Sequence, residues 1–113
     1  LNLAEKYGLP VRGGFEPSSM QNLSVKNTGP VDDRWSGQGL DTQELKNNIL
    51  ESLQKSDKNI AEIVVHPGVS DKELENISSW TTVRENDYKC LLELAQTGWF
   101  KENNVQLVTH SEL

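Results

Sequence analysis

The sequence predicts an α/β fold with mostly parallel strands, and three observations predict it. Ile63-Val64-Val65 is a contiguous β-branched run, the composition of a strand buried on both faces as in a parallel sheet. A well-marked helix over 42–55 lies between that run and a candidate strand at 30–35, the order of a βαβ crossover. Near the start, Tyr7-Gly8-Leu9-Pro10-Val11-Arg12 reads as helix end, glycine and strand, which is how an αβ step is written.

The bulk properties set the limits. A chain of 113 residues suits one domain. Its 35 % apolar content is low for a self-sufficient domain, so the core is expected to be small. A net charge of -6, spread along the chain, argues against a nucleic-acid partner. No apolar run is long enough to span a bilayer, so no membrane partner is expected either. Cys90 is alone, which excludes an internal disulfide and fits a reducing, cytoplasmic setting. Its apolar helical neighbours make it a buried thiol and not a nucleophile.

Taken in order, the chain opens in what reads as the last turns of a helix. Leu1, Ala4 and Tyr7 share a face, and Gly8 suits the position just past its end. The expectation is a fragment of a longer domain. Residues 9–12 form a short strand, closed by Gly13-Gly14. Residues 15–29 are rich in Ser, Asn, Gly and Pro and read as irregular, with one helical turn near 20–23. A loop of that length is usually functional or disordered. Residues 30–35 are a second, polar strand. Trp35, beside Gly37 and Gly39, offers a sugar-stacking platform or a half-buried aromatic at the core edge.

Asp41 then caps a helix over 42–55, with Glu44 completing a capping box and Leu40 set to staple onto Leu45. Leu45, Ile49, Leu50 and Leu53 mark its apolar face. Residues 60–65 are the central strand, ending in His66-Pro67-Gly68. Ser70 with Glu73 predicts another capped helix, Val69 stapling onto Leu74. Thr82 with Glu85 predicts a third, to about Gln96, with Leu91, Leu92 and Ala95 inward. Gly98 breaks it, a short helix follows from Trp99, and Asn103-Asn104 turns the chain. Residues 105–109 read as a final strand and 111–113 as the start of a last helix.

His66 is the leading candidate for chemistry. Functional groups collect where parallel strands end, and Pro67-Gly68 stops the strand at the imidazole. A histidine there can ligate a metal, act as acid or base, or serve as a structural hydrogen-bonded group. His110 reads as a surface residue. No metal-ligand spacing and no nucleophile or phosphate-loop motif is present. Asp32-Asp33 can bind an ion or activate water, although a solvated turn pair is the more common meaning. Arg84 lies at a helix start, where the dipole disfavours a cation. That misfit points to a carboxylate or a substrate oxygen, or to an exposed arginine tolerated at small cost.

Taken together, Glu62-Ile63-Val64-Val65-His66-Pro67-Gly68, Glu73-Leu74, Ser78-Ser79-Trp80-Thr81, Arg84-Glu85 and the tail from Val105 to Leu113 resemble a known family. They are similar to the C-terminal half of the YdjC-like (chitooligosaccharide deacetylase-like) carbohydrate deacetylases. Upstream, Tyr7-Gly8-Leu9-Pro10-Val11-Arg12 resembles the family's helix end and Pro-Val-Arg strand, and Asp33-Arg34-Trp35-Ser36-Gly37 its Asp-x-aromatic-x-Gly strand end. The resemblance covers nearly the whole chain and is most specific from His-Pro-Gly to Arg-Glu. Trp80 stands where the family more often has Tyr, and residues 15–29 depart most.

The resemblance implies the C-terminal part of a distorted (β/α) barrel. It implies metal-dependent removal of the N-acetyl group from chitooligosaccharides such as diacetylchitobiose. The divalent ion, Mg or Zn, would be held by an Asp of an Asp-Asp motif and two His of the N-terminal half, which has no counterpart here. Asp32-Asp33 fall in a later strand and are not that motif. Of the family's active-site residues only the His of His-Pro-Gly carries over, onto His66. It would lie near the metal site and act as an acid or base or bind substrate; as an acid it would donate to the leaving sugar amine while the ion activates water. Trp35 and Arg84 are the substrate-binding candidates. The alternative is a non-enzymatic carbohydrate-binding or interaction module using Trp35 and Arg84 without metal; a small self-contained structural domain is a third reading. The expected partners are an oligosaccharide and, over an exposed sheet edge, another chain such as a second copy in a homodimer.

Overall fold

One well-capped helix organises the packing. The structure, a computed structural model, describes residues 2–13, 24–29, 31–34 and 38–113. Its elements are α1 (Asn2–Tyr7), β1 (Val31–Asp32), α2 (Thr42–Lys55), β2 (Glu62–Ile63), α3 (Lys72–Ile77), α4 (Thr82–Gln96), α5 (Trp99–Glu102) and a closing 3-10 turn at His110–Glu112. Asp41 Oδ1 accepts from Glu44 N at 2.9 Å, and Glu44 Oε2 accepts from Asp41 N at 2.8 Å. This closed box starts α2 where the sequence places it. Leu45 is then 1 % exposed, with Ile49, Leu50 and Leu53 half-buried along the same stripe.

β1 and β2 pair in parallel on either side of α2 in the chain, Val31 opposite Glu62 and Asp32 opposite Ile63. The expected βαβ unit is present, but its ladder is shorter than the predicted strands at 30–35 and 60–65. Val64 N donates to Asp32 O at 2.9 Å, and among the described residues the pairing goes no further. Just past the ladder Asp32 Oδ1 accepts from Arg34 N at 3.0 Å, a turn-forming bond. Among the described residues, 9–12 contribute a single parallel bridge, Val11 with Asn27. The helical turn expected near 20–23 and the side chain of Trp35 lie outside the described residues. Among the described residues, 105–109 form no ladder, and Leu107 and Val108 are exposed. Apolar, β-branched composition suits a pleated surface but cannot replace a neighbouring strand's donors and acceptors.

The core sits between α2 and α4. Leu45, Cys90 and Leu94 are its buried residues, with Leu40, Ile49, Ile63, Val65, Leu91, Trp99 and Phe100 packed around them. Leu40 thus reaches Leu45's cluster as the staple predicts, and Cys90 is a buried free thiol. Gly98, at φ +71°, lets α5 fold back so that Trp99 and Phe100 close the cluster, their rings edge to face at 5.3 Å.

Three sequence assignments are corrected. The cap of α3 is Asp71, whose Oδ1 accepts from Leu74 N at 2.8 Å, and not Ser70; Val69 is exposed instead of stapled. The cap of α4 is Thr81 and not Thr82, it makes no side-chain capping bond, and Glu85 accepts from Ser70 N instead of completing a capping box. The inward face of α4 is Asp87, Cys90 and Leu94 with Leu91 half-buried, while Leu92 and Ala95 face out. That stripe follows i, i+3, i+4, i+7 only when an aspartate is accepted as an inward residue. At the other end of the chain, Tyr7 is exposed, although Gly8 at φ +62° does end α1 as expected.

The amino end of the sheet is a polar knot. Glu62 pairs with Arg12 and accepts from Thr28 Oγ1 at 2.9 Å, and Thr28 Oγ1 in turn accepts from Gly13 N at 2.8 Å. A Cβ on Gly13 would stand 1.4 Å from Gly29 O. Gly13→Ala is expected to force the two segments apart and cost about 1–3 kcal/mol. Urea denaturation checks this, and an unchanged midpoint would contradict the close approach.

Candidate active site

The carboxyl end of β2 leads through Val64 and Val65 to His66, and the segment after it lies along the start of α4. Alternate backbone N–H groups point into the helix. His66 N donates to Asp87 Oδ2 at 2.8 Å, Gly68 N to Arg84 O at 3.1 Å, and Ser70 N to Glu85 Oε1 at 3.2 Å. Pro67 falls between two of these donors, so its missing N–H costs nothing here. Gly68 admits the aliphatic stem of Arg84: a Cβ on it would lie 3.5 Å from Arg84 Cβ and 3.6 Å from Arg84 Cδ. The base that presents His66 is therefore α4 as much as the Pro-Gly stop.

His66 itself is half-buried. Its ring meets Trp80 edge to face, centroids 5.3 Å apart and planes at 86°. Trp80 is partly exposed, so this pair lies at the surface of the turn. Arg84 is half-buried, and its Nε is buried with no hydrogen-bond partner among the described residues. The structure thus sets Trp80 against the His66 ring and Arg84 against Gly68, two residues further along the turn. Trp35 lies outside the described residues, and His110 is exposed on the closing turn. Two clefts lie elsewhere. An apolar groove of about 490 Å³ runs between α2, β2 and residues 104–108, lined by Leu45, Ile49, Val65, Phe100 and Leu107. A second, of about 250 Å³, is lined by Asp32, Arg34, Ser52 and Lys55. Neither is lined by His66 or Arg84.

Asp87 is the residue that sequence reasoning missed. It is fully buried, its Oδ2 holds the His66 N–H, and its Oδ1 has no hydrogen-bond partner among the described residues. The signal was available, since Asp87 falls three residues before Cys90 and seven before Leu94 on one helical face. A carboxylate is discounted there because such groups are almost never fully buried unless paired.

Asp32, at the end of β1, is committed to structure. Arg34 donates to it from Nε at 2.9 Å and from a terminal guanidinium nitrogen at 2.7 Å, and the Ser52 hydroxyl donates as well. The Arg34 guanidinium, against the partial burial and with Ser52 and the Arg34 N–H, holds this carboxyl well below the usual carboxylate range. Asp33 beside it is exposed. Because the folded-state value is depressed, the stabilisation is complete above about pH 4, the unfolded value, and is lost as pH falls toward the folded one. Asp32→Asn is expected to cost about 1–2 kcal/mol at pH 7, and less at each step below about pH 4. Urea midpoints of both proteins across pH 2.5–8 measure this, and a pH-independent gap would contradict it.

Among the described residues, no three His, Cys, Asp or Glu side chains come together to hold a metal ion. No helix among them is long and apolar enough to cross a membrane.

No family model matches the chain. No solved structure matches it at a significant level. A curated protein, the carbohydrate deacetylase of Thermoanaerobacter pseudethanolicus, is 31 % identical over 113 residues, which is 100 % of this chain and 44 % of that protein. The chain spans less than half the length of the relative it matches.

Proposed function

We propose that the chain is the C-terminal part of a YdjC-like carbohydrate deacetylase acting on N-acetylated, chitooligosaccharide-type sugars. The observation that carries this reading is the 31 % identity to a carbohydrate deacetylase along the whole chain. The His66 turn supports it, because the backbone that carries this half-buried histidine, beyond the carboxyl end of a parallel strand, is anchored to α4 by hydrogen bonds from the N–H groups of His66, Gly68 and Ser70. The two-stranded sheet supports it too. A parallel pair this small needs further strands or a partner to be stable, as a distorted (β/α) barrel or a second copy in a homodimer would provide. A cytoplasmic location belongs to the same reading.

The net reaction breaks the amide C–N bond. Water oxygen joins the acetyl carbon, and a proton passes to the sugar nitrogen, giving acetate and a free amine. His66 donates that proton, with Trp80 bracing the ring edge. Arg84, whose buried Nε lacks a partner among the described residues, hydrogen-bonds a substrate oxygen, and Trp35 stacks on a sugar face. A divalent ion, Mg or Zn, belongs to this reading as well. The described residues do not fit it: they assemble no ligand set, and Asp32 is already engaged by Arg34 and Ser52. In this reading its ligands are residues other than the described ones.

The test is an acetate-release assay of the whole gene product on diacetylchitobiose and longer N-acetylated oligomers. Stoichiometric acetate and free amine are the expected result. Sugar binding without acetate release would instead favour a carbohydrate-binding module, and neither would end the carbohydrate reading.

A further inference from the structure

We infer that Asp87 is a positioning residue for His66, an assignment that rests on the deacetylase reading for its catalytic meaning but not for its structural content. Asp87 is fully buried, and one of its oxygens has no hydrogen-bond partner among the described residues. A carboxylate in such a place is costly, and an apolar residue of similar size at that position is often neutral or stabilising. An apolar residue would also complete the stripe that Cys90, Leu91 and Leu94 begin. Stability alone therefore argues against aspartate. What aspartate does and an apolar side chain cannot do is accept the His66 N–H, at 2.8 Å.

That bond fixes the point from which the imidazole departs. With the His66 nitrogen held by α4 and the ring edge held against Trp80, the side chain has both ends of its path defined. The neighbouring bonds from Gly68 and Ser70 anchor the turn after the histidine. The bond from His66 goes to the one fully buried acceptor side chain of the three sites, where water competes least.

The experiment compares wild type, Asp87→Asn and Asp87→Leu in the whole gene product labelled with ¹⁵N and ¹³C at histidine. Two readouts are followed: hydrogen exchange at the His66 amide, and the shift that the Trp80 ring imposes on the His66 ring protons. Asp87→Leu is expected to speed exchange about tenfold or more and to abolish the ring shift. Asp87→Asn keeps a neutral acceptor, so exchange rises only a few-fold and the ring shift persists. A flat series, with exchange and ring shift the same in all three proteins, overturns the assignment, even if Asp87→Leu changes stability. Should Asp87→Leu fail to fold, the Asn variant decides: a few-fold faster exchange with the ring shift retained supports the assignment, and exchange equal to wild type overturns it. A graded response in a protein that releases no acetate would leave Asp87's role standing while removing the deacetylase reading.

Discussion

His66→Ala in the whole gene product is expected to lower turnover on an N-acetylated oligosaccharide by about 10²–10⁴-fold, the range for loss of one general acid. KM should change little, since an interaction made mainly in the transition state is the one removed. The substitution is clean for a structural reason. The bond that holds this position uses the His66 backbone N–H, which alanine keeps, so the turn and its seat on α4 survive. The imidazole is lost and with it the edge contact with Trp80, a contact worth about 0.5–1.5 kcal/mol. Metal content, measured alongside, should match wild type. Turnover equal to wild type would take His66 out of the chemistry, and loss of bound metal would make it a ligand instead of a proton donor. His110→Ala is the control, because His110 is exposed on the closing turn and should leave turnover as it is.

The second large effect concerns the core. Leu94→Ala is expected to destabilise the protein by about 2–5 kcal/mol, the sum of lost transfer energy and the cavity left behind. Leu94 is 0 % exposed and belongs to the buried trio with Leu45 and Cys90, so little surrounds it that can collapse into the gap. Leu92→Ala, two residues earlier, should cost less than about 1 kcal/mol, because Leu92 is 42 % exposed. Domains are stable by only about 5–15 kcal/mol in total, so the first variant should be visibly fragile and the second not. Urea midpoints of the two proteins are enough to decide. Equal losses would mean that Leu92 is inward after all.

That pair of leucines also marks the limit of legibility. The apolar letters of α4 permit two stripes, one through Leu91, Leu92 and Ala95 and one through Cys90, Leu91 and Leu94. Hydrophobicity alone prefers the first, because the second continues onto Asp87. The folded chain takes the second, since Asp87 has a specific acceptor role at His66 N that no local pattern records. Glu85 is a parallel case. Three residues after Thr82 it reads as a capping-box partner, yet it bonds Ser70 N on another segment.

Local chemistry was enough wherever the partners are neighbours in sequence. Asp41 and Glu44 close their box, and Gly8 and Gly98 take positive φ, because each depends on residues a few positions away. His66 could be picked out as a strand-end imidazole for the same reason. Where two segments distant in the chain compete for one side chain, only the folded molecule decides. It commits the Asp32 carboxylate to Ser52 on α2, leaves residues 105–109 without a ladder among the described residues, and seats the histidine's backbone N–H on a buried aspartate. Hydrogen-bond donors and acceptors are satisfied by proximity in space, and proximity in space is set by the packing of α2 against α4.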